Sequence, residues 1–247
     1  MQIGQVDIRF LKIPFNVIFR HASAEHHTTS SIWLEARDAS GLLGLGECCP
    51  RPYVTGETLQ GAAAFIDSQL AAVKRDVQDL GSLLAWVSAH APDIDRNPAA
   101  WCALELALLD LLAREQRQSV EALLGLPEIR GPFCYTAVLG DADLRIFTAQ
   151  LERYRHSGFS DFKVKLSGRL GHDRDKLARF RGDGREGLTV RLDANNLWDD
   201  WRVAADYLRE LPGPFTGMEE PLAVNDYSGM ECLYRETGIP VILDESL

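Results

Sequence analysis

The 247-residue chain reads as α/β: a small α+β domain over residues 1–130, then an incomplete TIM-type (β/α) barrel of about five of eight strands over residues 131–247. Three observations predict it. Alternating, strand-like runs at the start give way to helical spacing that persists to about residue 125. From about residue 131, strand-like runs and helix-like segments alternate, as parallel βα units do. Acidic residues then close three successive strand-like runs at nearly equal intervals. Glu219 follows Asp193 by 26 residues and Asp244 follows Glu219 by 25, about the length of one strand, one helix and two loops.

Taken in order, Gln5–Leu11 and Ser31–Asp38 alternate apolar and polar residues, the period of a half-buried strand. The turn signal Asp38-Ala-Ser-Gly leads into Leu42–Glu47, which predicts antiparallel pairing of those two runs. The polar segment 19–30 is too long for a tight turn and is expected to be a functional loop. Within 58–125, Phe65, Ile66, Leu70 and Val73 share one helical face. A second helix places Asn97 at its N-cap and Pro98 at its first position, with Trp101, Leu104, Leu108, Leu111 and Leu112 on one face. A short helix runs from Ser119 to Gly125. The barrel strands are expected at Cys134–Leu139, Phe162–Leu166, Leu188–Asp193, Phe215–Glu219 and Val241–Asp244, with helices around 142–157, 172–181, 199–211 and 225–237. Acids at successive strand ends converge on one mouth only if the sheet curls, which favours a barrel over an open sheet. A barrel of eight strands is not complete at Leu247, so the reading expects a C-terminally truncated piece of a longer protein; completion by a partner chain and an open sheet stable alone are the alternatives.

Composition narrows the function. The chain is 46% hydrophobic and 25% charged, as in soluble globular proteins. Its net charge of −10, without a long Lys/Arg run, argues against a nucleic-acid partner. No apolar stretch reaches the roughly 18–20 residues of a membrane span, and a cytoplasmic location is expected. The five cysteines are odd in number and form no Cys-x-x-Cys pair, which argues against a disulfide framework or thiolate zinc site. Gly41-Leu-Leu-Gly-Leu-Gly has its glycines misplaced for phosphate or dinucleotide binding.

Lys163-Val-Lys165, Asp193-Ala-Asn195, Glu219-Glu-Pro and Asp244-Glu-Ser, in this order and spacing behind such an α+β segment, resemble the enolase superfamily. The similarity is to its muconate-lactonizing subgroup, which includes muconate cycloisomerases, o-succinylbenzoate synthases and dipeptide epimerases. The resemblance covers essentially the whole chain and implies that residues 1–130 are the capping domain. It implies that Asp193, Glu219 and Asp244 are metal ligands at strand ends three, four and five, and that Lys165 is the base of a Lys-x-Lys pair. It matches Arg20 to an arginine that in some dipeptide epimerases holds an acidic substrate side chain, and residues 52–58 to a second substrate-covering loop. The subgroup's second lysine, on the sixth strand, has no counterpart among these five.

The chemistry agrees with the residue types. Removing a proton alpha to a carboxylate requires stabilising the enediolate, which a divalent cation does as a Lewis acid. Mg²⁺ (with Mn²⁺ as the alternative) prefers oxygen ligands in octahedral array, and three carboxylates supply three positions. Glu220 and Glu245 alternate to the other face and are assigned no ligand role. Lys165 must be neutral to act as a base, which desolvation and the positive charge of Lys163 and the metal favour. Asn195, two residues past Asp193, is expected to orient a ligand, although turn chemistry explains an Asn there as well. The expected function is Mg²⁺-dependent abstraction of a proton alpha to the carboxylate of a small substrate, in an epimerase, cycloisomerase or dehydratase of isomerase or lyase type. The reading leans to dipeptide epimerization and includes a homo-oligomer. A catalytically inert fragment or pseudoenzyme is the competing reading.

Overall fold

The structure is a computed structural model that describes residues 2–15, 27–52, 54–182 and 187–247 in full, and the backbone alone over 16–21 and 24–26. It contains two compact units, one drawn from residues 1–131 and one built on Pro132–Leu247.

The first unit carries a three-stranded sheet, β1 (Ile3–His21), β2 (Ala24–Asp38) and β3 (Leu43–Cys48), in that order. β2 and β3 pair antiparallel, Ile32 opposite Cys48 and Arg37 opposite Leu43. The expected Asp38 turn closes them: its Oδ1 accepts from the backbone N–H of Ser40 and of Leu42, both at 2.8 Å. Residues 27–30, expected in a loop, instead lie inside β2. Thr and Ser suit a half-exposed strand, and Arg51 donates to Thr29 Oγ1 (3.0 Å) and Ser30 O (3.3 Å).

Helices α1 (Leu59–Asp76), α2 (Leu80–Asp95), α3 (Pro98–Glu115) and α4 (Val120–Leu123) complete this unit. The predicted face of α3 is buried: Trp101, Leu104, Leu108, Leu111 and Leu112 join Ile32, Leu34, Ile66 and Leu83 in one core. Leu-Gly-Leu-Gly has a structural cause, because α3 lies directly on the backbone of β3. A Cβ at Gly46 would stand 1.9 Å from Ala103 O, and one at Gly44 would stand 2.2 Å from Ala107 O. The expected capping of α3 is corrected. Asn97 occupies the N-cap position, but its side chain makes no cap and donates back to Asp93 O (3.0 Å). Glu57 caps the helix instead, accepting from Ala99 N (2.8 Å) and Ala100 N (2.9 Å); a carboxylate suits the positive end of a helix.

The second unit alternates β4 (Thr136–Leu139), α5 (Leu144–His156), β5 (Asp161–Lys165), α6 (Leu170–Ala178), β6 (Thr189–Asp193), α7 (Trp201–Arg209), β7 (Gly217–Glu219), α8 (Tyr227–Thr237) and β8 (Val241–Ile242). The strands form one parallel sheet in sequence order, the first part of the expected barrel. Ala137, Leu139, Phe162, Val164, Val190, Leu192 and Met218 alternate onto the helix side and are buried with Phe147, Leu151, Leu177, Ala204, Leu208 and Leu233. The opposite face is largely polar. Thr136, Asp161 and Thr189 stand in register across β4, β5 and β6, and Thr189 Oγ1 donates to Asp161 Oδ1 at 2.8 Å. Among the described residues no helix is long and apolar enough to cross a membrane.

Candidate active site

Strand register brings the predicted chemistry to one level. Lys165 stands opposite Asp193 and Asp193 opposite Glu219, so three neighbouring strands end in lysine, aspartate and glutamate on one face. Lys163 leaves that face two residues earlier. Glu219 stands opposite Ile242, which leaves Asp244 two residues past the last residue of β8.

Asp193 is 1% exposed, yet neither of its carboxylate oxygens accepts a hydrogen bond from the described residues. Its Oδ2 lies 3.1 Å from Lys165 Nζ and 3.3 Å from Lys163 Nζ. Burying an ionised acid without hydrogen bonds costs several kcal/mol unless positive charge offsets it, so this position calls for a cation. Lys163 supplies one: its Nζ donates to Glu219 Oε1 at 2.7 Å and bridges the two acids. Burial works to lower the Lys163 pKa, but the bond to Glu219 and the charges of Asp193 and Glu219 outweigh it and hold the value above that of an ordinary lysine. Lys165 is buried, and its Nζ donates to Asn195 Oδ1 at 2.6 Å.

Asn195 and Asn196 take left-handed backbone conformations, with φ of 46° and 57°, which Asn tolerates better than most residues. Turn chemistry and site chemistry therefore coincide at Asn195. Glu220 is fully buried. It accepts from Asp244 N (2.7 Å), Ser246 N (2.8 Å) and Ser246 Oγ (2.9 Å), and so fixes the segment that carries Asp244. The Asp244 side chain is exposed. Among the described residues no three His, Cys, Asp or Glu side chains gather closely enough to hold a metal ion. Two of the three predicted ligands, Asp193 and Glu219, thus meet around the Lys163 ammonium, and Asp244 forms no three-acid group with them. The buried Asp193 carboxylate, paired with lysine ammoniums but without a hydrogen bond from the described residues, and the all-oxygen donor set fit a hard divalent cation. The backbone of Arg20, expected to bind substrate, lies in β1; its side chain is outside the described residues.

Sequence reading missed a buried ion pair behind Lys165. Asp173 and Lys176 are both fully buried, with Lys176 Nζ 2.8 Å from Asp173 Oδ1. Lys176 Nζ also donates to the backbone carbonyl of Lys165 at 2.8 Å. Asp173 accepts from Ser167 N (2.9 Å), Ser167 Oγ (2.9 Å) and Tyr207 OH (2.6 Å), so the pair holds the chain on both sides of Leu166. Burial pushes the Asp173 pKa up, but the bonds from Lys176 and Tyr207 prevail and hold it below the ordinary carboxylate value. Burial, reinforced by the bond to Asp173, pushes the Tyr207 hydroxyl up. The i, i+3 spacing of Asp173 and Lys176 was the only sequence signal.

Comparison with known proteins agrees with this architecture. Residues 8–125 match the mandelate racemase / muconate lactonizing enzyme N-terminal domain, and residues 147–247 match the enolase C-terminal domain-like family. An L-Lys-D/L-Arg epimerase from Methylococcus capsulatus is 29% identical over 251 residues, covering 100% of this chain and 68% of that protein. A chloromuconate cycloisomerase from Pseudomonas putida is 26% identical over 259 residues, covering 100% of this chain and 67% of that protein. The crystal structure of a dipeptide epimerase from Methylococcus capsulatus, complexed with Mg and the dipeptide L-Arg-D-Lys, superposes with a TM-score of 0.85 at 26% identity, over 100% of this chain and 69% of that one. With the N-terminal and C-terminal domains of one family matched in order on a capping sheet and a run of barrel strands, this chain belongs to the mandelate racemase/muconate lactonizing enzyme family of the enolase superfamily.

Proposed function

We propose that this chain carries the proton-abstraction site of a Mg²⁺-dependent epimerase acting on a dipeptide or related amino-acid derivative. The observation that carries the reading is the row of Lys165, Asp193 and Glu219 at one level of the sheet, with the Asp193 carboxylate buried and without hydrogen bonds. Asp193 and Glu219 would hold the cation, and Asp244 would join them from its exposed position. When bound, the cation supplies Lewis-acid stabilisation of the charge that develops on the substrate carboxylate. Lys165, as the neutral amine, takes the alpha proton and becomes the ammonium, leaving an enediolate, and Asn195 orients its Nζ through the bond at Oδ1. Lys163 balances the acids at the base of the site. The dipeptide assignment rests on the relatives' substrates.

The inert reading draws on one observation: among the described residues no three acids gather closely enough to hold a metal ion. One experiment separates the two. The chain is incubated with MgCl₂ and a panel of dipeptides in D₂O, and deuterium at the alpha carbon is read by mass spectrometry. Exchange by the wild type, lost in Lys165→Ala and Asp193→Asn, supports the active reading. Exchange retained in Lys165→Ala removes that lysine as the base. No exchange with any dipeptide favours the inert reading.

A further inference from the structure

A cavity of about 700 Å³ opens beside the ends of β4, β5 and β6. Lys165 and Asn195 line one side of it. The connections that follow β4 and β5 contribute Asp141 and Arg169 to the other side, and the first turn of α6 contributes His172. Three nitrogen donors converge there on a single carboxylate. Arg169 Nη2 lies 3.1 Å from Asp141 Oδ2, His172 Nε2 lies 3.1 Å from Oδ1, and Lys176 Nζ lies 3.4 Å from Oδ1. Asp141 thus has no spare capacity for a cationic ligand. The wall's other acid, Asp143, caps α5 by accepting from Arg145 N at 2.9 Å.

Arg169 is in the opposite condition. Its side chain is 65% exposed, and among the described residues only its Nη2 is engaged, by the two Asp141 oxygens. A guanidinium steered by one acid, with the rest of its fork unused, has the geometry for carboxylate recognition. We propose that this wall is a subsite for a second anionic group of the substrate, a carboxylate remote from the carbon that loses its proton. Arg169 binds that carboxylate, and Asp141, itself engaged by His172, holds the guanidinium in place. The assignment rests on the proton-abstraction reading, because it seats the reacting carboxylate at the Lys165 end of the same cavity.

The test compares α,ω-dicarboxylates of increasing chain length with the monocarboxylates of equal length, titrated into the protein in MgCl₂ by calorimetry. At the optimal length the wild type binds the diacid about tenfold more tightly than the monoacid, the ratio one charge-assisted hydrogen bond supplies. Arg169→Gln brings that ratio close to one, and Arg169→Lys restores part of it, since lysine keeps the charge and loses the fork. A ratio near one in the wild type, or a ratio unchanged in Arg169→Gln, overturns the subsite while leaving the proton-abstraction reading intact. Failure of both acids to bind, or binding of both that Asp193→Asn leaves untouched, overturns the underlying reading and the subsite with it.

Discussion

Lys176→Met removes one half of a fully buried ion pair and leaves the Asp173 carboxylate without its cation. Breaking such a pair from one side costs about 3–5 kcal/mol, because an uncompensated charge remains in the interior. Asp173 keeps three other donors, the Ser167 amide, the Ser167 hydroxyl and the Tyr207 hydroxyl, so the expected loss is near the lower figure, about 3 kcal/mol. Lys176→Met combined with Asp173→Leu removes both charges but leaves the Ser167 amide and the Tyr207 hydroxyl without their acceptor. Both freed donors are only half-buried, so that variant is expected to lose about 2 kcal/mol, near the low end of the cost of two unmade bonds and less than the single substitution. Amide hydrogen exchange over β5 and α6 reads the effect locally, and about 3 kcal/mol corresponds to exchange more than a hundredfold faster. A loss below about 1 kcal/mol in Lys176→Met, or a double variant that simply adds the two single losses, would refute the compensation argument.

The same pair sets an acid limit. The folded pKa of Asp173 lies below its unfolded value, so its contribution is complete above about pH 4 and is lost as pH falls through the folded value. Acid unfolding of the second unit should therefore be less steep in Asp173→Asn, and an unchanged pH profile would contradict the assignment. Gly46→Ala would drive a Cβ to 1.9 Å from Ala103 O. Separating α3 from β3 should cost about 3 kcal/mol or more, seen as a lower thermal midpoint; an unchanged midpoint would show that the contact relaxes freely. Glu57→Gln should destabilise the first unit by about 1 kcal/mol through the loss of a charged cap on α3, read by urea denaturation, whereas an equal loss in Asn97→Ala would return the capping role to Asn97. Burial pushes the Cys48 thiol up to about 12, so at pH 8.5 iodoacetamide should label the exposed Cys49 and spare Cys48. Because the folded value exceeds the unfolded one, this thiol favours the fold fully below about pH 8.5, and the contribution fades as pH rises toward 12.

The sequence alone determined most of the elements and their order, the 19–30 segment, expected as a loop, being the exception. Alternation and helical spacing are local, and Leu104, Leu108 and Leu111 announce the buried face of α3 wherever the rest of the chain goes. It also determined that Lys165, Asp193 and Glu219 share a level, because equal spacing along repeated βα units becomes equal height in a parallel sheet. Only the tertiary structure decided how the acids are partnered. Lys163 stands between Asp193 and Glu219, and Glu220 anchors the segment past β8 that carries Asp244. It likewise decided that Glu57 caps α3 from 42 residues away and that Lys176 braces the backbone of Lys165. Such contacts join residues remote in sequence, through charges and hydrogen bonds that form only once burial has removed water, and no periodic pattern along the chain records them.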